Sequence, residues 1–263
     1  MFNKKINSKK IKPNTEFIAQ NIFYYKTVNS TNTAAKNTDC KNGTLFIAET
    51  QTHGKGRMGR DWLSEKKSGI WMSIALMPQI NAEHINQITL VTGLAVCETL
   101  TGMYKLPFKI KWPNDIVIEG KKVCGILVEG VSEKGKIIKV INGIGINVNQ
   151  KRFTAELADK ATSVYMVTGK KSDRTEIINK FAEIFEKYYK EFLNNGIKNI
   201  MEKYRDLCVT LNKEVMAIKD GEKIKAVATG ITENGELIIK KEDGKTLNIN
   251  SGEVSVRGIY GYI

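Results

Sequence analysis

The stretch Lys111-Trp112-Pro113-Asn114-Asp115, followed by Gly120-Lys121-Lys122-Val123-Cys124-Gly125-Ile126-Leu127-Val128-Glu129, joins apolar strands through polar turns. A turn between strands wants small polar residues and a glycine, and Gly120 alone meets that need. Lys111, Asn114, Asp115 and Lys122 around the short run 115–119 are more polar chemistry than one hairpin requires. Outward from this segment, strands are expected over 45–48, 70–77, 107–112, 115–119, 122–131 and 136–148. Residues 85–100 read as a helix through Ile88, Val91, Ala95 and Val96, and 173–193 as a strongly amphipathic one through Ile177, Phe181, Ile184, Phe185, Tyr188 and Phe192. Gly196 separates that helix from another over 197–207. From residue 211 the character changes. Asp220-Gly221, Asn234-Gly235 and Asp243-Gly244 are hairpin signals flanked by alternating strands. The expected fold is α/β of the α+β kind, with a mixed-sheet domain over 17–210 and a small SH3-like β-barrel over 211–263. Residues 1–16, basic and broken by Pro13, read as a loosely ordered tail.

At 263 residues the chain has room for one large domain and a small one. The formal charge of +13 favours anionic partners, but the lysines are scattered in ones and twos and read first as solvated surface, without specific DNA binding. Cys40, Cys97, Cys124 and Cys208 form no Cys-x-x-Cys pair, and with only His53 and His84 to assist, no protein metal site is expected. The first fourteen residues hold no apolar signal-peptide core, and the apolar run 70–77 is too short to span a bilayer. A reduced, cytoplasmic protein with no membrane partner is the expectation, and a homodimer is left open.

Two further motifs carry chemistry. Gly54-Lys55-Gly56-Arg57-Met58-Gly59-Arg60 satisfies Gly-x-Gly-x-x-Gly, yet the residues after it are not the apolar helix a dinucleotide fold needs. What remains is a glycine-spaced loop over 50–69 that presents Lys55, Arg57 and Arg60 to an anion, framed by Gln51 and Trp62. In Gly143-Ile144-Gly145-Ile146-Asn147, strand alternation puts Gly143, Gly145 and Asn147 on one face. Interior glycines mark close approach to the backbone, so a ligand lying flat on this floor is expected, with Gly125 extending it and Asn147 at its end. Strict alternation sets Lys122 opposite Gly125. Both reach one ligand only if the strand twists or bulges at its start, or if Lys122 reaches in from the edge. Ser30 is the candidate cap of a short helix over 31–36.

Four motifs, Asn29-Ser30-Thr31-Asn32, 49–62, 111–129 and 143–147, together with the terminal barrel, resemble the biotin protein ligases from about residue 20 onward. The resemblance implies a catalytic domain with the class II aminoacyl-tRNA synthetase/biotin ligase fold. It implies that biotin and ATP give biotinyl-5′-AMP, and that biotin is then transferred to a lysine of a biotin carboxyl carrier protein. Carried over position by position, Ser30, Thr31 and Gln51 hydrogen-bond the ureido head of biotin. Asn32, Gly54, Lys55, Arg57, Trp62, Lys122, Gly125, Leu127, Gly143 and Gly145 complete its pocket. Arg57, Arg60, Trp62, Asn114, Lys122, Asn147 and Arg257 serve the nucleotide. Lys122, Arg57, Asn114 and Asp115 are the catalytic set, with Mg2+ accompanying ATP. Lys55 stands where relatives often carry arginine. With no room for a helix-turn-helix before Ser30, the resemblance implies the form without a DNA-binding domain. A lipoate-type ligase of the same fold and a basic nucleic-acid-binding protein are the alternatives.

Overall fold

The computed structural model describes residues 5–218 and 222–250, with the backbone alone of Lys219 and of 255–258. The chain runs through β1 (Ile22–Tyr25), α1 (Thr31–Asn37), β2 (Thr44–Ala48), β3 (Ile70–Leu76), α2 (Gln87–Tyr104), β4 (Lys109–Lys111), β5 (Asp115–Ile118), β6 (Lys121–Glu133) and β7 (Lys136–Ile146). It continues through α3 (Ala155–Ala158), α4 (Val164–Thr168), α5 (Arg174–Asn195), α6 (Lys198–Leu207), β8 (Glu214–Lys219), β9 (Glu222–Ile231), β10 (Leu237–Lys241), β11 (Thr246–Ile249) and β12 (Ser255–Gly258).

The first seven strands form one mixed sheet in the order β1-β2-β3-β7-β6-β5-β4. Only β1 and β2 pair in parallel, with α1 as their crossover; the other neighbours are antiparallel. Every residue of β2 and β3 is buried, so the sheet is covered on both faces and its strands read as continuous apolar runs. One face carries α1, through the cluster Ala35, Phe46, Ala75 and Ile141. The other carries the main core with α2, α5 and α6. Helix α2 is apolar on nearly every side because it lies between the sheet and α5. Helix α5 starts where Asp173 accepts from Thr175 N, and Phe181, Phe185 and Tyr189 stack along it at i, i+4 spacing.

The last five strands form an antiparallel sheet in the order β11-β10-β9-β8-β12. Its turns at Gly235 and Gly244 adopt the left-handed φ of +87° and +83° that glycine tolerates. The expected hairpin at Asp220-Gly221 lies outside the described residues.

Residues 5–16 differ from the expected loose tail. Ile6 and Ile11 are buried, and backbone donors along the segment bond to side chains down one face of α5. Asn7 N donates to Thr175, Lys12 N to Asn179 and Asn14 N to Glu183, while Glu16, Phe17 and Ile18 N all donate to the Glu186 carboxylate. The segment is a strap. Its polar sequence conceals this because most of these bonds are made by its backbone amides, joined by the Lys10 carbonyl and the Glu16 carboxylate.

Candidate active site

Helix α1 begins at Thr31 with Ser30 at its cap position, as expected, but the Ser30 hydroxyl makes no capping bond. Thr31 N donates instead to Gln51 Oε1 (2.8 Å), which also accepts from the Thr31 hydroxyl (3.0 Å), while Gln51 Nε2 donates to Ser64 (2.7 Å). Gln51 therefore ties the helix start to the glycine-spaced loop. Asn32 is held by Glu129 (2.6 Å) and Ser73 (2.6 Å).

The glycine floor is real, but its immediate occupants are protein groups. A Cβ built on Gly143 would strike the Asn32 amide, and one on Gly145 or Gly125 would come within 2.5 or 2.6 Å of the Trp62 ring. The ligand expected to lie flat on the glycines would displace Trp62 or lie above it. Trp62 has Trp71 at its edge (6.4 Å between centroids) and the Lys122 ammonium 5.0 Å from its ring centre. The buried Trp62 Nε1–H finds no acceptor among the described residues. Beside it lies a cavity of about 50 Å³, lined by Ser30, Thr31, Asn32, Gln51 and Lys55 on one side and by Lys122, Gly125, Leu127, Gly143 and Gly145 on the other.

Lys122 reaches this floor because β6 bulges at its start. Val117 pairs with Lys122 while Ile116 pairs with Cys124, leaving Val123 as the extra residue. The bulge resets the alternation, so the Lys122 amine lies about 3.0 Å from a Cβ built on Gly125 and 2.6 Å from Asp115 Oδ1. Both ends of its peptide are pinned, Lys122 N to Lys160 O and Thr162 N to Lys122 O. Cys124, beneath the site, is fully buried, and that burial pushes its thiol well up.

The 50–69 loop is partly organised. Gly56 N donates to Arg60 O and Trp62 N to Gly54 O, closing a small hairpin. Gly54 lines neither cavity; its missing side chain makes room for the returning Trp62 carbonyl. Arg57 Nη1 donates to Asn114 Oδ1 (3.0 Å). Burial pushes the Arg57 guanidinium down from its ordinary value; the Asp115 carboxylate opposes this and Arg60 adds to it. Asn114 Nδ2 donates to Ile126 O (3.1 Å), fastening the Trp112-Pro113 turn, whose peptide is cis, onto β6.

A second cavity, of about 680 Å³, opens on the far side of Lys122. Arg60, Asn114, Asp115 and Asn147 line it together with Phe153, Leu157, Asp159, Lys160 and Ala161. The wall from 153 to 161 was not anticipated; it follows an apolar strand with no periodic signal of its own. Asn147 lines the cavity with its amide engaged, since Oδ1 accepts from Gln150 and Nδ2 donates to Thr162 O. Gly56, Arg57, Trp62, Asn114 and Lys122 border both cavities. Arg257, on β12, pairs with Met216 of β8, and its side chain lies outside the described residues. Among the described residues no three His, Cys, Asp or Glu side chains form a metal-holding group, and no helix is long and apolar enough to cross a membrane.

The fold and site are thus a mixed sheet with two cavities that share Lys122 on their border. Residues 24–147 match the biotin/lipoate A/B protein ligase family and 210–257 the biotin protein ligase C terminal domain. The Bacillus spizizenii bifunctional ligase/repressor BirA is 36% identical over 235 residues, covering 88% of this chain and 72% of that one. A biotin--[acetyl-CoA-carboxylase] ligase of Mycobacterium tuberculosis is 27% identical over 217 residues, covering 81% and 78%. The Aquifex aeolicus biotin protein ligase, solved in complex with biotin and ATP, superposes with a TM-score of 0.83 at 37% identity, covering 91% of this chain and 99% of that one. The chain belongs to the biotin protein ligase family.

Proposed function

We propose that this chain is an ATP-dependent biotin–[biotin carboxyl carrier protein] ligase with 17–210 as its catalytic domain, 211–263 as an SH3-like domain and the cytoplasm as its compartment. The observation that carries this reading is the meeting of the two cavities at Lys122, Arg57 and Asn114. The small cavity takes biotin, the large one ATP. A biotin carboxylate oxygen attacks the α-phosphorus, the bond to the β-phosphate oxygen breaks, and pyrophosphate leaves with its electron pair. The lysine amine of a carrier domain then attacks the anhydride carbonyl carbon. The carbon–oxygen bond to phosphate breaks, AMP leaves and the amine loses a proton.

Two anions must meet, so cations are needed where charge develops. Lys122 bridges carboxylate and α-phosphate, aimed by Asp115 at 2.6 Å. Arg57, oriented by Asn114, and Arg60 face the phosphates. Ser30 is the donor best placed for the ureido head of biotin, because its hydroxyl is not spent on the helix. Thr31 and Gln51 brace each other behind it, Asn32 holds the wall at Gly143, and Lys55 flanks the entrance. Asn147 fixes the 161–164 segment beside the adenine, and Arg257 is kept as a nucleotide-binding candidate on the resemblance alone. The carboxylates fit a magnesium ion carried in on the triphosphate better than a protein-built cage, since Mg2+ binds through one or two carboxylates plus substrate phosphates. Asp115, Asp61 and Asp159 line the ATP cavity, and the ion would neutralise triphosphate charge there.

The small cavity is far below the roughly 300–1,000 Å³ of a ligand pocket, so biotin entry requires Trp62 to swing off the glycines. The test is biotin-dependent exchange of pyrophosphate into ATP, followed by transfer of label to a carrier domain. Exchange driven by lipoate and not by biotin would overturn the reading.

A further inference from the structure

The loop that borders both cavities leaves the sheet after Glu49 and rejoins it at Gly69. One guanidinium holds both ends. Arg174, the first residue of α5, donates through Nη2 to Glu49 Oε2 and through Nη1 to Gly69 O, each at 2.9 Å. The side chains of Arg174 and Glu49 are each only 3% exposed, and neither lines a cavity. The other oxygen of Glu49 accepts from Ile6 N (2.6 Å) at the start of the strap and from the Tyr24 hydroxyl (3.1 Å) on β1. The Glu49 carbonyl accepts from Lys67 N (3.2 Å), so the descending arm of the loop is bonded to the same residue.

Burying an ion pair is a poor route to stability, since well-packed apolar residues often serve as well or better. What a forked guanidinium supplies is geometry. Here it fixes the separation and direction of the two feet of a loop that carries Gln51, Arg57, Arg60 and Trp62. A loop transmits any slack at its feet to its tip, and a cover that closes out of register holds a reactive intermediate less well.

We propose that Glu49 and Arg174 are positioning residues, a clamp at the neck of the 50–69 loop, and that the amino-terminal strap is its third jaw through the Ile6 amide. The clamp sets the register in which Arg57 and Trp62 close, so it governs retention of the adenylate more than the chemistry at Lys122. The proposal rests on the reading of the loop as a cover over biotin and ATP.

Three variants test it: Glu49→Gln and Arg174→Lys in the full chain, and a chain shortened to begin at Asn7, which removes the Ile6 amide and its buried side chain but leaves the pair intact. The readouts are release of biotinyl-5′-AMP after a single turnover, KM for biotin, the rate of pyrophosphate exchange at saturation, and thermal unfolding. All three variants are expected to release adenylate roughly tenfold faster or more and to raise KM, with saturated exchange within about threefold of the parent. Lowered unfolding temperature with unchanged adenylate release would overturn the proposal, leaving a structural ion pair. Saturated exchange lost as severely as in Lys122→Gln would also overturn it, because the pair would then act on the chemistry. Should Glu49→Gln not fold, the shortened chain decides by the same readouts. Failure of the cover reading is separately visible, as identical hydrogen exchange of 51–67 in the parent with and without biotin and ATP.

Discussion

At the scale of single residues, Lys122 was legible from its company. An isolated Gly-Lys-Lys turn would be read as solvated, and Asn114 and Asp115 nearby changed that reading. Its route to the floor was legible only as an alternative, because a bulge leaves no mark in a sequence that continues to alternate. Replacing Lys122 by glutamine should lower biotin-dependent pyrophosphate exchange by about 10²–10³, as loss of one transition-state donor does. Unfolding temperature should hardly move, since the amine is a rim group with 22% of its side chain exposed. The glycines were correctly read as places of close approach, but not what approaches. Asn32 and Trp62 are distant in sequence, and nothing local announces that a ring from the loop will lie on the floor. Gly145→Val should put a side chain on the floor that biotin takes once Trp62 has moved, and so weaken biotin binding by more than it lowers stability, as titration calorimetry beside thermal melting would report. Unchanged biotin affinity would mean that the glycine floor is unrelated to the ligand.

At the scale of elements, the long apolar strands and helices α2, α5 and α6 were readable because their periodicity is imposed by burial over many residues. Strand β1, only four residues of aromatic and aliphatic character, was missed; its partner is reached through the α1 crossover, without a hairpin signal. The same holds for α3 and α4, which are too short to show a period. The loop was legible as a glycine-spaced basic element because its glycines and charges are local. With few apolar anchors it should exchange its amides quickly alone and be protected by biotin plus ATP, in a hydrogen-exchange comparison of 51–67. Arg57→Gly, which removes the bond to Asn114, should release biotinyl-5′-AMP faster and label bystander lysines more readily, as lids over reactive intermediates limit escape.

At the scale of the molecule, the strap and the net charge set two conditions on behaviour. Glu186 is buried, which by itself raises its carboxyl, but the amides of Ile18, Glu16 and Phe17 and the Lys190 ammonium outweigh this and hold it below the ordinary value. A depressed carboxylate contributes stability that is present above its unfolded value and is lost as pH falls through its folded one. The strap should therefore loosen from α5 in acid, below the ordinary carboxylate range, and Glu186→Gln should flatten that part of the stability profile. Binding of the +13 chain to DNA should fall steeply with salt and show no preference among sequences in electrophoretic shifts.

The small sheet is also a joint. Its β9–β10 turn touches the back of the 111–115 segment and its surroundings: Trp112 Nε1 donates to Gly235 O, Gln87 Nε2 to Asn234 O, and Arg205 to the carbonyls of Ile231 and Thr232. Severing the chain near 210 would strand these donors, each at a cost of about 1–3 kcal/mol where water cannot reach. Two fragments cut there would be poor proteins apart and complementary ones together. The joint thus marks a natural position for a split enzyme, in which labelling activity reports that its halves have met.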